Sequence, residues 1–482
     1  MKALTRKLLA LSMAMLIIVQ SSYGFCGFYV AKADTTIFNN KSEVILVRDG
    51  KHTVITMSND FKGDVKDFAM VVPVPVVLKE SDIKVVDRKV FEALDAYSAP
   101  RLVEYYDQNP CQPEYAFDEI YATSTSVSTN SMVMKSESIR EKDFGVKIEA
   151  RYKVGEYDIL LLSAKESTGL KDWLILSGYK IPATADEVLA PYIKSNMKFF
   201  VVKVNAETIA KGKFEYLSPL QISFDHDKFM LPIRLGMANS TGSQDMIVYA
   251  FTRTGRVECT NYRTVKMPTD RHIPLFVKNE FGDFYKNLFQ KTWKTENRNA
   301  VFLEYAWDVT PNWGMKCDPC VGPPPMQQEF ADAGVWWANT GGQTFFTRMH
   351  VRYEKSKFPS DLTFQVTPNN ENYQARYVLT IPATGEFECE EGQQYLLDLR
   401  DKRKLELDEY AALTGKISPK GQKYLSEYQG KILPAKKNEA PIFMKEFFKN
   451  NGPRKLLLAL SALMAMIIFF RFSKPKIETK VV

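Results

Sequence analysis

The strongest fold signal in the sequence lies in the stretch Ser42-Glu43-Val44-Ile45-Leu46-Val47-Arg48-Asp49-Gly50-Lys51-His52-Thr53-Val54-Ile55-Thr56-Met57. Two runs rich in β-branched residues flank Asp49-Gly50, a dipeptide favoured in the tight turn of a β-hairpin. The stretch therefore predicts an antiparallel hairpin. A third run, 68–75, is expected to continue the same sheet until Pro73 and Pro75, which lack a backbone N–H, stop it or confine it to an edge.

The chain between this hairpin and residue 205 mixes helix and strand patterns. Apolar residues at three-to-four spacing predict a helix around 90–97. Further patterns predict a hairpin around Gly155, short helices at 168–176 and 185–193, and a strand at 198–204. We therefore expect a mixed α+β domain over residues 25–205.

Strand patterns dominate from residue 206 to residue 392. A hairpin is predicted around Thr254-Gly255, and a helix at 283–295 precedes alternating runs at 345–353, 362–366 and 376–381. These patterns predict a second, β-rich domain over 206–392 that contains a CxxC loop. The expected fold class is thus α+β and β-rich, with two sheet-containing domains.

The N-terminus has the pattern of an export signal. Basic residues at positions 2, 6 and 7 precede an apolar run over 8–19, and small or polar residues follow up to Gly24. This pattern predicts a signal peptide over residues 1–24, cleaved after Gly24. An uncleaved membrane anchor is the alternative, although about twelve apolar residues are few for a membrane span.

The C-terminus has the pattern of a membrane anchor. Residues 456–470 are apolar except for Ser461, and basic residues flank them on both sides. We predict a helical stalk over 393–453, a single transmembrane helix over 454–472 and a short basic tail over 473–482. The alternative is a C-terminal sorting signal that is removed later. Either interpretation places the main domains outside the cytoplasm, in the periplasm or at the cell surface.

The positive net charge of +7 does not indicate a nucleic-acid-binding surface. The two terminal segments, 1–24 and 454–482, contain nine of the 64 basic residues and one of the 57 acidic ones, so residues 25–453 are close to neutral. The basic excess therefore belongs to targeting and anchoring, and nucleic acid is a poor candidate partner.

The expected export affects how the six cysteines are interpreted. An even number in an oxidising compartment predicts disulfides, but the spacing does not choose among the pairings. The candidates are Cys26, Cys111, Cys259, Cys317, Cys320 and Cys389.

Cys317-Asp318-Pro319-Cys320 is the one compact chemical motif. A structural disulfide or loop clip is the favoured interpretation, because the prolines at 323–325 oppose the long helix that follows a thioredoxin-like centre. Thiol-disulfide exchange by Cys317 and Cys320 is the alternative. Zinc is disfavoured because no second CxxC supplies the remaining ligands, and no cofactor motif is present.

Histidines and tryptophans supply the remaining candidate site residues. His350 lies in an alternating strand and is expected to be a hydrogen-bonded strand residue, while Asp225-His226-Asp227 is expected to form a solvated turn. Aromatic residues concentrate near the CxxC, where they either form the core of the second domain, which we favour, or line a groove for a sugar, peptide or protein. The candidate binding residues are Trp307, Trp313, Trp336 and Trp337.

Four spaced blocks of sequence resemble a known family. They are the segments 26–34, 99–105, 317–320 and 349–353, which read CGFYVAKAD, APRLVEY, CDPC and MHVRY. With them the chain resembles the bacterial family called domain of unknown function 2330, over roughly residues 25–380. The resemblance implies an exported bacterial protein, often with a C-terminal membrane helix. It implies no catalytic residues and no assigned activity.

Two hypotheses about function follow. The favoured one is a membrane-anchored extracytoplasmic binding or structural module, held by its C-terminal helix and facing an unknown protein or glycan partner. The alternative is an exported thiol-disulfide oxidoreductase that uses Cys317 and Cys320.

Overall fold

A computed structural model of the chain describes residues 28–31, 38–62, 68–112, 144–177, 185–204, 218–238, 242–311 and 323–432. Within these ranges the chain forms twenty strands and eight helices besides short 3-10 turns, which confirms an α+β, β-rich fold class. The predicted signal peptide, the transmembrane segment 454–472 and the tail 473–482 lie outside the described residues.

The strands are β1 (Phe28–Ala31), β2 (Phe38–Asp49), β3 (His52–Lys62), β4 (Phe68–Val74), β5 (Ile83–Val85), β6 (Arg101–Tyr106), β7 (Val146–Val154), β8 (Tyr157–Ala164), β9 (Lys198–Val204), β10 (Leu220–Asp225), β11 (Met230–Leu231), β12 (Gln244–Thr252), β13 (Val257–Cys259), β14 (Arg263–Lys266), β15 (Arg271–His272), β16 (Ala300–Asp308), β17 (Phe345–Tyr353), β18 (Leu362–Val366), β19 (Tyr373–Gln374) and β20 (Arg376–Ile381). The helices are α1 (Lys89–Ser98), α2 (Ser167–Leu176), α3 (Ala185–Lys194), α4 (Arg234–Ala238), α5 (Phe281–Thr295), α6 (Gln327–Ala333), α7 (Glu390–Thr414) and α8 (Gly421–Ser426).

The predicted hairpin lies in the middle of the larger sheet. Strands β2 and β3 pair antiparallel, and Asp49 lies opposite His52. Gly50 and Lys51 therefore form the two-residue turn, and Gly50 adopts a left-handed φ of 57° that glycine accepts without strain. The strand order of this sheet is β14-β16-β17-β12-β2-β3-β10-β5, and β19 pairs with β16.

A second sheet, with the order β1-β4-β9-β8-β7, contains the third run of the sequence. The prediction that this run continues the first sheet is wrong, because β4 pairs with β1 and β9 instead. Pro73 lies opposite Phe199 of β9, while among the described residues β1 pairs with β4 only as far as Val71.

The two sheets pack face to face, and helices cover their outer faces. Alternate residues of each strand point to opposite sides, so one face of β3 enters the core between the sheets and the other faces α1 and α6. Helices α2 and α3 cover the outer face of the smaller sheet. The core between the sheets includes Val44, Leu46, Ile55, Met57, Val72, Val74, Phe200 and Val248.

The predicted domain boundary near residue 205 does not separate two sheets. Strand β2 pairs in parallel with β12, and β3 pairs with β10, so strands from both sides of residue 205 share one sheet. The predicted hairpin around Thr254-Gly255 is also wrong, because β13 pairs with β18 while β12 lies between β2 and β17. Burial of β12 on both faces favours these distant partners over its neighbour in the sequence.

The described part of the predicted stalk is helical, but it packs on the sheet-containing body rather than standing apart. Tyr410 and Leu413 of α7 belong to a buried cluster with Leu288 and Trp293 of α5. Among the helices within the described ranges, none has the length and apolar character needed to cross a membrane.

Candidate functional site

The tryptophans proposed as binding residues have different environments. Trp337 is 2% exposed, and its Nε1 donates to Thr344 Oγ1 at 3.1 Å, so it is a core residue as the favoured interpretation expected. Trp307 is partly buried and stacks on Tyr305 with 6.1 Å between ring centroids. Trp336 is 42% exposed, while Trp313 lies outside the described residues.

The cysteines form one disulfide within the described residues. Cys111 and Cys389 are bonded across a sequence separation of 278, which joins the segment after β6 to the residue that precedes α7. Cys259 is a free, buried thiol, so its assignment as a disulfide candidate is wrong; burial also raises its pKa. Cys26, Cys317 and Cys320 lie outside the described residues, and the redox hypothesis stays a prediction.

His350 is a hydrogen-bonded strand residue, as predicted. Its Nε2 lies 2.9 Å from Asp245 Oδ1, and its Nδ1 lies 3.1 Å from Glu304 Oε1. Burial lowers the pKa of His350, but the hydrogen bonds to the two carboxylates outweigh burial and raise it. Arg348 pairs with Glu304 at 2.7 Å and with Asp95 at 2.7 Å. These charges neutralise one another inside the sheet, so the cluster has the properties of a structural network.

Metal binding finds no support in this network or elsewhere in the described ranges. No three His, Cys, Asp or Glu side chains in that part of the chain are arranged so that they could hold a metal ion.

A cleft between the two sheets forms a partly enclosed cavity in the described part of the chain. Its volume is about 510 Å³, and both sheets contribute to its walls. Ile55 and Met57 of β3 face it together with Ile222 and Phe224 of β10, because Ile222 lies opposite Ile55 in the antiparallel pair. Val72, Pro73, Val74 and Pro75 line the opposite wall, with Met197 beside them.

One end of the cleft is polar and organised around Asp361, which is 7% exposed. Its Oδ1 accepts hydrogen bonds from Tyr192 Oη at 2.6 Å, from the backbone N–H of Ile233 at 3.0 Å and from that of Arg234 at 3.2 Å. Burial raises the pKa of Asp361, and it also raises that of Tyr192 well above its ordinary value. The carboxyl group thus fixes three groups around the end of the cleft.

Arg234 lines the same end of the cleft. Its Nε is buried and has no hydrogen-bond acceptor among the described residues, and it lies 3.8 Å from Asp361 Oδ2. A buried donor without an acceptor costs free energy, which a ligand oxygen can recover.

The turn Asp225-His226-Asp227 lies at the cleft. Asp225 and Asp227 have side chains 75% and 78% exposed, which confirms the predicted solvated turn. His226 and Lys228 contribute to the cleft lining, and His226 Nδ1 accepts from the backbone N–H of Lys228 at 3.1 Å. The histidine therefore helps to shape the loop in which Lys228 lies.

The sequence contains no motif for this cleft, because its residues come from separate strands and loops. The one local signal is the pair Pro73 and Pro75. These prolines line the cleft where β4 ends at Val74, and the sheet pairing that would otherwise continue beyond this point stops.

Comparisons with known proteins give a family and one distant structure. Residues 20–365 match the model of a family described as "Uncharacterized protein conserved in bacteria (DUF2330)". No curated protein matches the chain. Among solved structures, the crystal structure of baculovirus P35 is similar over 46% of this chain and 66% of that chain, slightly less than two thirds, at 11% identity and a TM-score of 0.21. A similarity this weak supports no argument about fold or function.

Proposed function

The chain belongs to the DUF2330 family of uncharacterized proteins conserved in bacteria, and from this premise we propose that it is a membrane-anchored extracytoplasmic binding module. Its ligand is an amphipathic anion, with an apolar chain in the inter-sheet cleft and an acidic head group at the polar end. The observation that supports the proposal is an apolar cavity of about 510 Å³ that ends beside Arg234, whose Nε has no hydrogen-bond acceptor among the described residues.

The walls of the cleft favour an apolar chain. Its volume of about 510 Å³ lies within the range of about 300–1,000 Å³ typical of small-molecule sites. Met57, Met197 and Met230 are unbranched and polarisable, so they adapt to chains of different shape. Each buried methylene contributes about 0.8 kcal/mol, so six of them contribute about 5 kcal/mol before the costs of binding.

The polar end favours an anion over a cation. Asp361 Oδ1 already accepts three hydrogen bonds, and its Oδ2 pairs with Arg234 Nε at 3.8 Å, so a cation of the protein already balances this carboxylate. Arg234 Nε has no acceptor, and Lys228 forms no ion pair among the described residues. Carboxylate or phosphate oxygens complement both groups.

Export and anchoring are supported by the sequence and by the disulfide. The terminal segments 1–24 and 454–472 have the patterns of a signal peptide and a membrane helix. The Cys111–Cys389 bond is typical of an oxidising compartment.

Photo-crosslinking tests this proposal. The full-length protein in lipid nanodiscs is irradiated with a diazirine-bearing fatty acid, and the labelled peptides are identified by mass spectrometry. We expect labelling of peptides that contain Met57 and Met230, which line the cleft. Met230→Trp should fill part of the cavity and lower this labelling at least about tenfold, which corresponds to about 1.4 kcal/mol.

Met326→Trp is the matched control, because Met326 is 61% exposed and does not line the cleft. It should leave labelling unchanged, and Arg234→Gln should weaken labelling by fatty acid more than labelling by the corresponding alcohol. Labelling confined to other peptides, or insensitive to Met230→Trp, would contradict the proposal.

A further inference from the structure

A second depression lies on the opposite face of the same strand pair. Because side chains alternate along β3 and β10, His52, Val54, Gln221 and Ser223 face away from the inter-sheet cleft. They line a groove of about 290 Å³, to which the loop after α6 contributes Trp336. The groove and the cleft therefore share two strands and no lining side chains.

Trp336 is an exposed aromatic surface held in a defined orientation. Its ring meets His52 at 4.9 Å with an angle of 85° between planes, and it meets Trp337 at 4.8 Å and 87°. Trp337 is itself fixed, because it is 2% exposed and packs under the guanidinium of Arg253 at 4.6 Å. An indole that is 42% exposed between two such neighbours is a preorganised stacking surface, which reduces the entropy lost on binding.

The polar side chains around Trp336 are either held in place by a hydrogen bond or make no side-chain hydrogen bond within the described ranges. His52 Nδ1 lies 2.6 Å from Asp225 Oδ1, which fixes the imidazole and leaves Nε2 without a hydrogen-bond partner in the described ranges. Ser223, Lys84 and Asn339 line the groove and make no side-chain hydrogen bonds to the part of the chain that the structure describes. Together these groups offer both donors and acceptors.

The exposed indole and the polar side chains around it together define the chemistry of the ligand. A purely apolar ligand would leave these polar groups buried without partners, which is costly. A strongly charged ligand has little advantage, because Lys84 is accompanied by Asp82 in the lining and by Asp225 beside His52. A sugar ring suits the groove, since it has an apolar C–H face for the indole and hydroxyl groups at its edge for the polar side chains.

We propose that this groove binds one hexopyranose residue of a glycan, stacked on Trp336 and hydrogen-bonded by the side chains around His52. The site is independent of the inter-sheet cleft, so the two proposals stand or fall separately.

Co-sedimentation with insoluble polysaccharides tests the glycan site. The full-length protein, in a detergent without a sugar head group, is mixed with chitin, with cellulose and with purified peptidoglycan. We expect retention on at least one of the three. Trp336→Ala should lower the bound fraction at constant protein at least about tenfold, as expected of a hot-spot aromatic residue, and Trp336→Phe should retain part of it.

Tyr106→Ala is the matched control, because Tyr106 is 69% exposed and does not line the groove. It should bind as the unaltered protein does, and so should Met230→Trp, which alters only the cleft. Urea unfolding of Trp336→Ala checks that its loss of retention is not a loss of folding. Retention on none of the three polysaccharides, or equal retention by Trp336→Ala, overturns the proposal.

Discussion

Replacing Glu304 with glutamine removes one negative charge from the buried network of the larger sheet while keeping the size of the side chain. The carboxylate is 1% exposed and accepts hydrogen bonds from Arg348 Nε at 2.7 Å and Tyr285 Oη at 2.6 Å. It also lies 3.1 Å from His350 Nδ1. Removing one partner of a buried ion pair costs about 3–5 kcal/mol. Because Arg348 keeps Asp95 at 2.7 Å, we expect a loss near the lower limit, about 3 kcal/mol.

The same network predicts how the stability depends on pH. Burial alone would raise the pKa of Glu304, but the charge of Arg348 and the hydrogen bond from His350 lower it to about 2. Asp245 follows the same pattern: its burial is outweighed by His350 and Arg352, and its pKa falls to about 2. Both carboxylates therefore stabilise the fold above their ordinary pKa near 4, and this stabilisation disappears as the pH falls toward about 2.

The contribution of His350 to stability depends on pH in the opposite direction. Its pKa is raised in the folded protein, so its contribution is complete below its ordinary pKa near 6.5 and is lost as the pH rises through the folded value. We therefore expect the greatest contribution of this network between about pH 4.5 and pH 6.5.

Urea unfolding of the full-length protein, followed by tryptophan fluorescence across this pH range, measures both effects. Glu304→Gln should lower the free energy of unfolding by about 3 kcal/mol and lower the pKa of His350, which is measurable by NMR among only four histidines. Glu371→Gln is the control, because its pair with Lys266 has side chains 58% and 40% exposed, and it should leave the urea midpoint unchanged. A loss below about 1 kcal/mol for Glu304→Gln, or an unchanged His350 titration, would refute the reasoning.

Three further predictions concern the cysteines. Cys111→Ser should lower the free energy of unfolding by about 2–5 kcal/mol in urea titrations, because the Cys111–Cys389 bond closes a loop of sequence separation 278; an unchanged midpoint would contradict this. Cys259 should react with iodoacetamide only in urea, because it is 8% exposed and burial raises its pKa; labelling of its peptide in the folded protein would show otherwise. Cys317 and Cys320 should resist glutathione buffers down to about −300 mV if they form a structural clip, whereas exchange at higher potentials would support the oxidoreductase alternative.

Local features of the fold followed from the sequence where short-range chemistry decides the structure. The hairpin around Gly50 forms as predicted, because a two-residue turn and β-branched runs act within a few residues. The helix Lys89–Ser98 ends just before Ala99-Pro100, since proline disfavours helical geometry in the preceding residue. The alternating pattern around His350 likewise predicted its place in a hydrogen-bonded strand.

The candidate sites followed from the sequence only in part. Trp336 was among the proposed binding residues, but no pattern distinguished it from the buried Trp337 beside it. No sequence pattern indicates a site at Asp361 and Arg234, because 127 residues separate them and neither lies in a recognisable motif. The role of Asp361 depends on Tyr192, which comes from a helix in the other half of the chain.

The sequence by itself determined the hairpin turn at Gly50, the two strands that flank it and the alternation that sends Ile55 to one face of β3 and Val54 to the other. Only the tertiary structure decided that β2 pairs with β12 and that Cys111 bonds Cys389. It also decided that the two faces of β3 and β10 line different cavities. Turn chemistry and side-chain period act over a few residues, whereas pairing between distant strands depends on which apolar faces are buried together when the whole chain packs.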